Sequence, residues 1–137
     1  MSQVRSQLQP HVISQSLLLV EDNESTRATL FQLLEQLGFR VDCAVDGLDG
    51  LNKASQRQYG VILLDHKMPL MDGILLLKNL REMDAYQDTP LVLLTTADLA
   101  QVERKARAAG ATLTLPKPVS AETLARALQH SLWSGVA

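Results

Sequence analysis

Val61-Ile62-Leu63-Leu64-Asp65-His66-Lys67-Met68-Pro69-Leu70-Met71-Asp72-Gly73 opens with four apolar residues and stops abruptly at an acid. An uninterrupted apolar run this short reads as a strand buried on both faces, as inside a parallel sheet. Asp65 then stands at the carboxyl end of the strand, where open α/β sheets keep their ligand sites. The chain beyond it is stiff, because Pro69 lacks an N–H and Asp72-Gly73 is a turn pair. The reading predicts an acid held at a sheet edge by a rigid loop.

Working upstream, SLLLV at 16–20 repeats the pattern and ends in Glu21-Asp22-Asn23, a second acidic strand end. A helix over 24–37 follows with Leu30, Leu33, Leu34 and Leu37 on one face, closed by Gly38. Strand two spans 40–45. Asp46 caps a helix that carries Leu48, Leu51 and Ala54 inward and ends before Tyr59-Gly60. Working downstream, Ile74, Leu75, Leu77 and Leu80 give a helix to about residue 83, and 84–90 is a polar loop. Leu91 to Thr95 is strand four. Asp98 and Gln101 form a capping box for a helix with Leu99, Val102, Ala106 and Ala109 on one stripe, ended by Gly110. Strand five covers 111–115, followed by Pro116-Lys117-Pro118. Ser120 caps a last helix with Leu124, Ala127, Leu128 and Leu132 inside.

Five βα units in succession predict an α/β fold: a (βα)5 doubly wound parallel five-stranded sheet with helices on both faces. Its usual strand order is the flavodoxin-like 2-1-3-4-5, with a crevice between strands one and three. Those are the two strands that end in Glu21-Asp22 and in Asp65.

The chain of 137 residues suits one domain. Residues 1–15, rich in Gln and Ser and broken by Pro10, read as a flexible leader in which His11 is solvated. The domain proper spans 16–133, and 134–137 is a tail too short to be an effector, so no output domain is expected. An apolar share of 46% and a charged share of 20% are those of a soluble globular protein. A net charge of −2 without a basic cluster argues against a nucleic-acid partner. No apolar stretch is long enough to span a bilayer and no signal peptide opens the chain, so a cytoplasmic protein with no membrane partner is expected. Cys43 is the single cysteine, which excludes an intramolecular disulfide and a cysteine metal cluster. In its apolar surroundings it reads as a small buried hydrophobe.

Carboxylates crowded at one edge repel, and their pKa values rise unless a cation neutralises them. Mg²⁺ does so with oxygen ligands while keeping waters that an anionic substrate can displace. Thr95-Thr96 bring hydroxyls to the end of strand four, and Lys117 brings a compact positive charge after strand five. Together these make a phosphoryl-transfer site with Asp65 as nucleophile. Taken singly, each piece has a plainer account. Glu21-Asp22 is polar punctuation, Thr95 a strand-end hydroxyl, Lys117 a solvated loop charge and Asp72-Gly73 only a turn. His66 has no His or Cys at metal spacing and reads as a loop residue. What favours function is the set: acid, acid, hydroxyl and lysine close strands one, three, four and five in turn.

The motifs LLLVEDN, LLDHKMPLMDG, LVLLTT and LPKP, in this order and spacing, resemble the receiver domain of two-component response regulators, chemotaxis regulators included, over about 16–132. The resemblance implies that Asp65 accepts a phosphoryl group from a histidine of a sensor histidine kinase or histidine phosphotransfer protein, switching an interaction with a downstream protein target. It implies Mg²⁺ held by Asp22, Asp65 and the backbone carbonyl of Lys67, with Glu21 acting largely through water. Thr95 matches the switch hydroxyl and Lys117 the phosphate contact, with a cis Lys117–Pro118 bond. The partner surface implied by analogy is the fourth and fifth helices with strand five. Two positions depart from the pattern. Thr114 stands where the family often has Tyr or Phe, so the output signal is carried differently or more weakly. Thr96 replaces a common alanine and bears on access to the phosphoryl group. A phosphatase with an aspartate nucleophile is the competing class, but such enzymes carry a second acid where Lys67 stands. A receiver-shaped module that never takes phosphate is disfavoured by the acids, Thr95 and Lys117, although Thr114 would suit it.

Overall fold

β3 (Val61–Asp65) is the central strand of the sheet. It pairs with β1 (Ser16–Val20), Leu17 beside Val61 and Val20 beside Leu64, and with β4 (Leu91–Thr95), Ile62 beside Leu91 and Asp65 beside Leu94. β2 (Arg40–Ala44) adds outside β1 and β5 (Leu113–Pro116) outside β4, all parallel, in the order β2-β1-β3-β4-β5. That is the doubly wound, flavodoxin-like sheet the alternation predicts. The computed structural model describes residues 15–136, with side chains through Ser131. Apart from Gln15, the leader expected at 1–15 lies outside the described residues, as does the inward side chain expected of Leu132.

The helices are α1 (Glu24–Gln36), α2 (Gly47–Gln56), α3 (Gly73–Arg81), α4 (Leu99–Ala109) and α5 (Ala121–Val136). Strand side chains alternate between faces, so each apolar run feeds two cores at once. Leu18, Val20, Ile62, Leu64, Leu91 and Leu93 meet Ala54, Leu76, Leu77, Leu80, Val102 and Ala106 of α2, α3 and α4. Leu17, Leu19, Val61, Leu63, Val92 and Leu94 meet Leu30 and Leu34 of α1 with Leu124 and Leu128 of α5. This double demand is why the central strands carry no polar interruption. Cys43 is partly buried against the α1–α5 face, and burial raises its thiol pKa.

Side-chain caps fix where the helices begin. Asn23, Asp46, Asp72 and Asp98 accept the N–H groups of Thr26, Asp49, Leu75 and Ala100, and Ser120 Oγ that of Thr123. Asp72 is therefore more than the turn residue it was expected to be. At Asp98 the bond goes to Ala100, and the Gln101 N–H donates to the Asp98 backbone carbonyl instead.

Elsewhere in the sheet and helices the structure also differs from the sequence reading. Leu48, expected inside, is 49% exposed, because α2 turns Gly47, Gly50 and Ala54 inward. A Cβ on Gly47 would stand 2.3 Å from the Met71 carbonyl oxygen, so the small residues let α2 lie against the β3–α3 loop. Leu75 faces solvent while Leu76 is buried. β2 stops at Ala44 with Val45 half exposed, and β5 begins at Leu113. The stretch 84–90 is not merely polar. It holds a 3-10 turn, Asp84–Tyr86, whose Tyr86 is wholly buried; its hydroxyl accepts the Tyr59 N–H at 3.2 Å and reaches the carbonyls of Ala54 and Arg57 at 2.8 and 2.7 Å. Among the described residues no helix is long and apolar enough to cross a membrane.

Candidate functional site

β1 and β3 end side by side, so their terminal acids meet. Glu21 is 1% exposed and its N–H still donates to the Ala44 carbonyl, which ties it to the sheet; Asp22, one residue on, is exposed. Asp65, the last residue of β3, is 6% exposed. Carboxylate oxygens of Glu21, Asp22 and Asp65 all lie within 4.8 Å of one another.

β5 brings the cation. The Lys117 N–H donates to the Thr95 carbonyl at 2.8 Å and extends the β4–β5 ladder by one residue, and the Lys117–Pro118 bond is cis as the resemblance implies. From there Lys117 Nζ reaches Glu21 Oε1 at 3.0 Å and Asp65 Oδ1 at 3.1 Å. The electrostatics follow from burial and proximity. Burial pushes the Asp65 carboxyl up to about 6, opposed by the Lys117 hydrogen bond and reinforced by the charge of Glu21. Burial works against the Lys117 charge, but the hydrogen bonds to Glu21 and Asp65 outweigh it and its pKa is raised.

Thr95 closes β4 and is completely buried. Its Oγ1 accepts the Ala97 N–H at 3.0 Å and lies 2.8 Å from His66 Nδ1. His66 is thus not the loop residue expected; it is 8% exposed, and burial lowers its pKa. The physical reason is that pairing does not stop at the acid. The His66 N–H donates to the Leu94 carbonyl at 2.8 Å, so His66 extends the strand by one and shares the face of Ile62 and Leu64. Period-two alternation carried one residue past Asp65 was the signal that could have found it.

The loop after His66 folds back at once. The Gly73 N–H donates to the His66 carbonyl at 2.8 Å, and a Cβ on Gly73 would stand 2.4 Å from the Asp65 carbonyl oxygen. Only glycine allows that approach. Lys67 is exposed, and no described residue donates a hydrogen bond to its carbonyl. Of the two departures, Thr114 is 8% exposed in β5 beside Leu93, and Thr96 is exposed.

Sheet order and site together define a class, the doubly wound α/β domains with an acid-lined site at the carboxyl edge of the sheet. Within that class the chain belongs to the response regulator receiver family, since residues 17–129 match the model of the response regulator receiver domain. It is therefore a receiver domain of the two-component, phosphorelay kind, a signalling domain. It is 38% identical over 111 residues to the transcriptional regulatory protein HprR of Escherichia coli strain K12, covering 80% of this chain and 48% of that protein. The chain thus spans about half the length of that relative, and less of some others. The chemotaxis response regulator CheY4 of Vibrio cholerae superposes with a TM-score of 0.82 at 35% identity, over 86% of this chain and 98% of that one. The receiver domain of sensor histidine kinase PA1611 from Pseudomonas aeruginosa PAO1, described with a magnesium ion coordinated in its active site cleft, gives 0.81 at 30% identity over 88% and 98%.

Proposed function

We propose that Asp65 is the phosphoacceptor of this receiver, Thr95 the hydroxyl that follows the phosphoryl group and Lys117 the cation that contacts it. Transfer breaks the P–N bond of a phosphohistidine on a sensor kinase or phosphotransfer protein. It forms a P–O bond to Asp65, and the bond's electron pair leaves on the histidine nitrogen. Hydrolysis reverses the state: water attacks phosphorus, Asp65 departs as carboxylate and inorganic phosphate is released. The observation that carries this reading is Lys117 bridging two buried carboxylates from adjacent strands, with Asp22 beside them. A buried charged cluster is costly to keep, and here it forms a place for a cation and an anion at a strand end.

The donor set fits a hard divalent cation, three carboxylates on one side of a buried edge, with Asp65 pushed up to about 6 when only Lys117 compensates it. Asp22, Asp65 and the Lys67 carbonyl would hold Mg²⁺, with Glu21 acting largely through water. When bound, Mg²⁺ supplies positive charge against the phosphoryl oxygens. In this reading Lys117 orients and neutralises the transferred group, Thr95 donates to it, and Gly73 keeps the backbone of Asp65 in place. The chain catalyses only its own phosphorylation and dephosphorylation, works in the cytoplasm and passes its state to a downstream protein rather than to nucleic acid or membrane.

Incubation with Mg²⁺ and acetyl phosphate tests it. Intact-mass analysis is expected to show one added phosphoryl group, labile to base and absent in Asp65→Asn. No adduct on the wild type would leave a receiver-shaped interaction module instead.

A further inference from the structure

The buried imidazole beside Thr95 has no part in the chemistry just described. Three observations give it one. First, Thr95 Oγ1 has two lone pairs and one proton. The Ala97 N–H occupies one lone pair and His66 Nδ1, at 2.8 Å, engages either the second lone pair or the proton. Second, among the described residues Thr95 is the single hydrogen-bond partner of the His66 ring, so whatever draws Thr95 away leaves a buried ring nitrogen unpaired. Third, the ring borders a cleft of about 390 Å³ between the starts of α3 and α4, lined by Lys67, Asp72, Ile74, Gln101 and Lys105. The ring has room and polar company on that side. β5 reads Leu113-Thr114-Leu115-Pro116, so it offers Thr95 no aromatic neighbour, and the ring in contact with the hydroxyl is that of His66.

We propose that His66 is the positioning residue of Thr95: it holds the hydroxyl in the unphosphorylated protein and surrenders it when the phosphoryl group forms, so that the signal leaves the site through the His66 ring into the α3–α4 cleft. The proposal rests on Asp65 being the phosphoacceptor. His66 touches no reacting atom; it acts through Thr95. A phosphoryl group that takes Thr95 loosens His66, and because the bond between them must break before Thr95 can follow the phosphoryl group, losing the grip of His66 removes that cost from phosphorylation.

The test reads the ring nitrogens of His66 by ¹⁵N NMR at fixed neutral pH, alongside uptake from acetyl phosphate followed by mass. In the wild type the Nδ1 resonance is expected to move on phosphorylation. In unphosphorylated Thr95→Ala it should already stand at the unbonded position. His66→Phe, which keeps a buried ring and loses the bond, is expected to take up phosphoryl groups about two- to tenfold faster, the equivalent of one released hydrogen bond. His66→Asn, whose amide restores a partner for Oγ1, should bring the rate back towards that of the wild type. A phosphoryl adduct with an unmoved Nδ1 resonance, or a His66→Phe rate equal to or below the wild type, overturns the exchange alone. Failure of every protein to gain the adduct overturns the acceptor role of Asp65, and the exchange with it.

Discussion

Lys117 Nζ lies 3.1 Å from Asp65 Oδ1, across 52 positions of sequence, and the same ammonium is 3.0 Å from Glu21. One cation thus compensates two carboxylates that are almost fully buried. Replacing it by an apolar side chain of similar length leaves both uncompensated, the costly case for a buried pair. In EDTA at neutral pH, Lys117→Met is expected to lose about 3 kcal/mol in urea unfolding. Mg²⁺ should restore much of that, since it replaces the missing positive charge.

Asp65 gives the opposite sign. Its carboxyl is pushed up to about 6, first by burial, so the folded protein binds this proton more tightly than the unfolded chain does. Ionisation of Asp65 therefore opposes folding above about pH 6, and the opposition disappears below the ordinary carboxylate range near 4. Asp65→Asn cannot ionise. Without divalent cations it is expected to exceed the wild type by about 1–2 kcal/mol near pH 8, with the advantage shrinking through pH 6 and gone near pH 4. Unfolding curves across that range decide it; an advantage that grew on acidification would contradict the argument.

Metal binding should appear as stability. A ligand at one hundred times its dissociation constant adds about 2.7 kcal/mol, so Mg²⁺ is expected to raise Tm and EDTA to reverse the rise. Asp22 is exposed, and its replacement by Asn is expected to cost under about 0.5 kcal/mol in EDTA. The Mg²⁺-dependent rise in Tm should nevertheless shrink several-fold in Asp22→Asn. An undiminished rise would remove Asp22 from the cation site.

The fold was legible because β1, β3 and β4 are buried on both faces and so spell themselves in leucine, isoleucine and valine. The edge strands β2 and β5 are only partly buried, and their ends moved by one or two residues from the reading. Glu21, Asp22, Asp65, Thr95 and Lys117 stood out because each breaks or follows an apolar run. His66 did not, since its partner Thr95 is 29 residues away and the register must be known before the two meet. Leu48 misled for a related reason: the inward stripe of α2 is made of glycine and alanine, which a search for large apolar residues passes over. Tyr86 was lost in a polar stretch because its partners lie 27 to 32 residues back.

That loss makes Tyr86 a test of how the far end of the sheet is held. Its hydroxyl is the acceptor for the Tyr59 N–H and faces the carbonyls of Ala54 and Arg57. Tyr86→Phe removes only the oxygen, which leaves the buried Tyr59 N–H without its acceptor and the carbonyls of Ala54 and Arg57 without the one proton they share. A loss of about 1–3 kcal/mol is expected in urea unfolding. The site lies at the other edge, so uptake from acetyl phosphate should be unchanged per folded molecule.

Gly73 ties packing to chemistry most directly. A Cβ there would stand 2.4 Å from the Asp65 carbonyl oxygen, 2.6 Å from Leu93 Cδ1 and 3.0 Å from His66 Cα. Two of the three are backbone atoms of the acid and of its neighbour, which a rotamer change cannot move aside. Gly73→Ala must therefore displace the end of β3, at about 1–3 kcal/mol for overpacking. The displacement falls on Asp65, so Mg²⁺ affinity and phosphoryl uptake should fall with stability. Leu77→Ala is the comparison: Leu77 is fully buried in the core beneath α3, and its truncation costs about 2–5 kcal/mol. At a temperature where both variants remain folded, Leu77→Ala is expected to bind Mg²⁺ as the wild type does and Gly73→Ala several-fold more weakly. Equal Mg²⁺ affinity in the two would mean that the close approach of Gly73 serves the loop alone and not the acid.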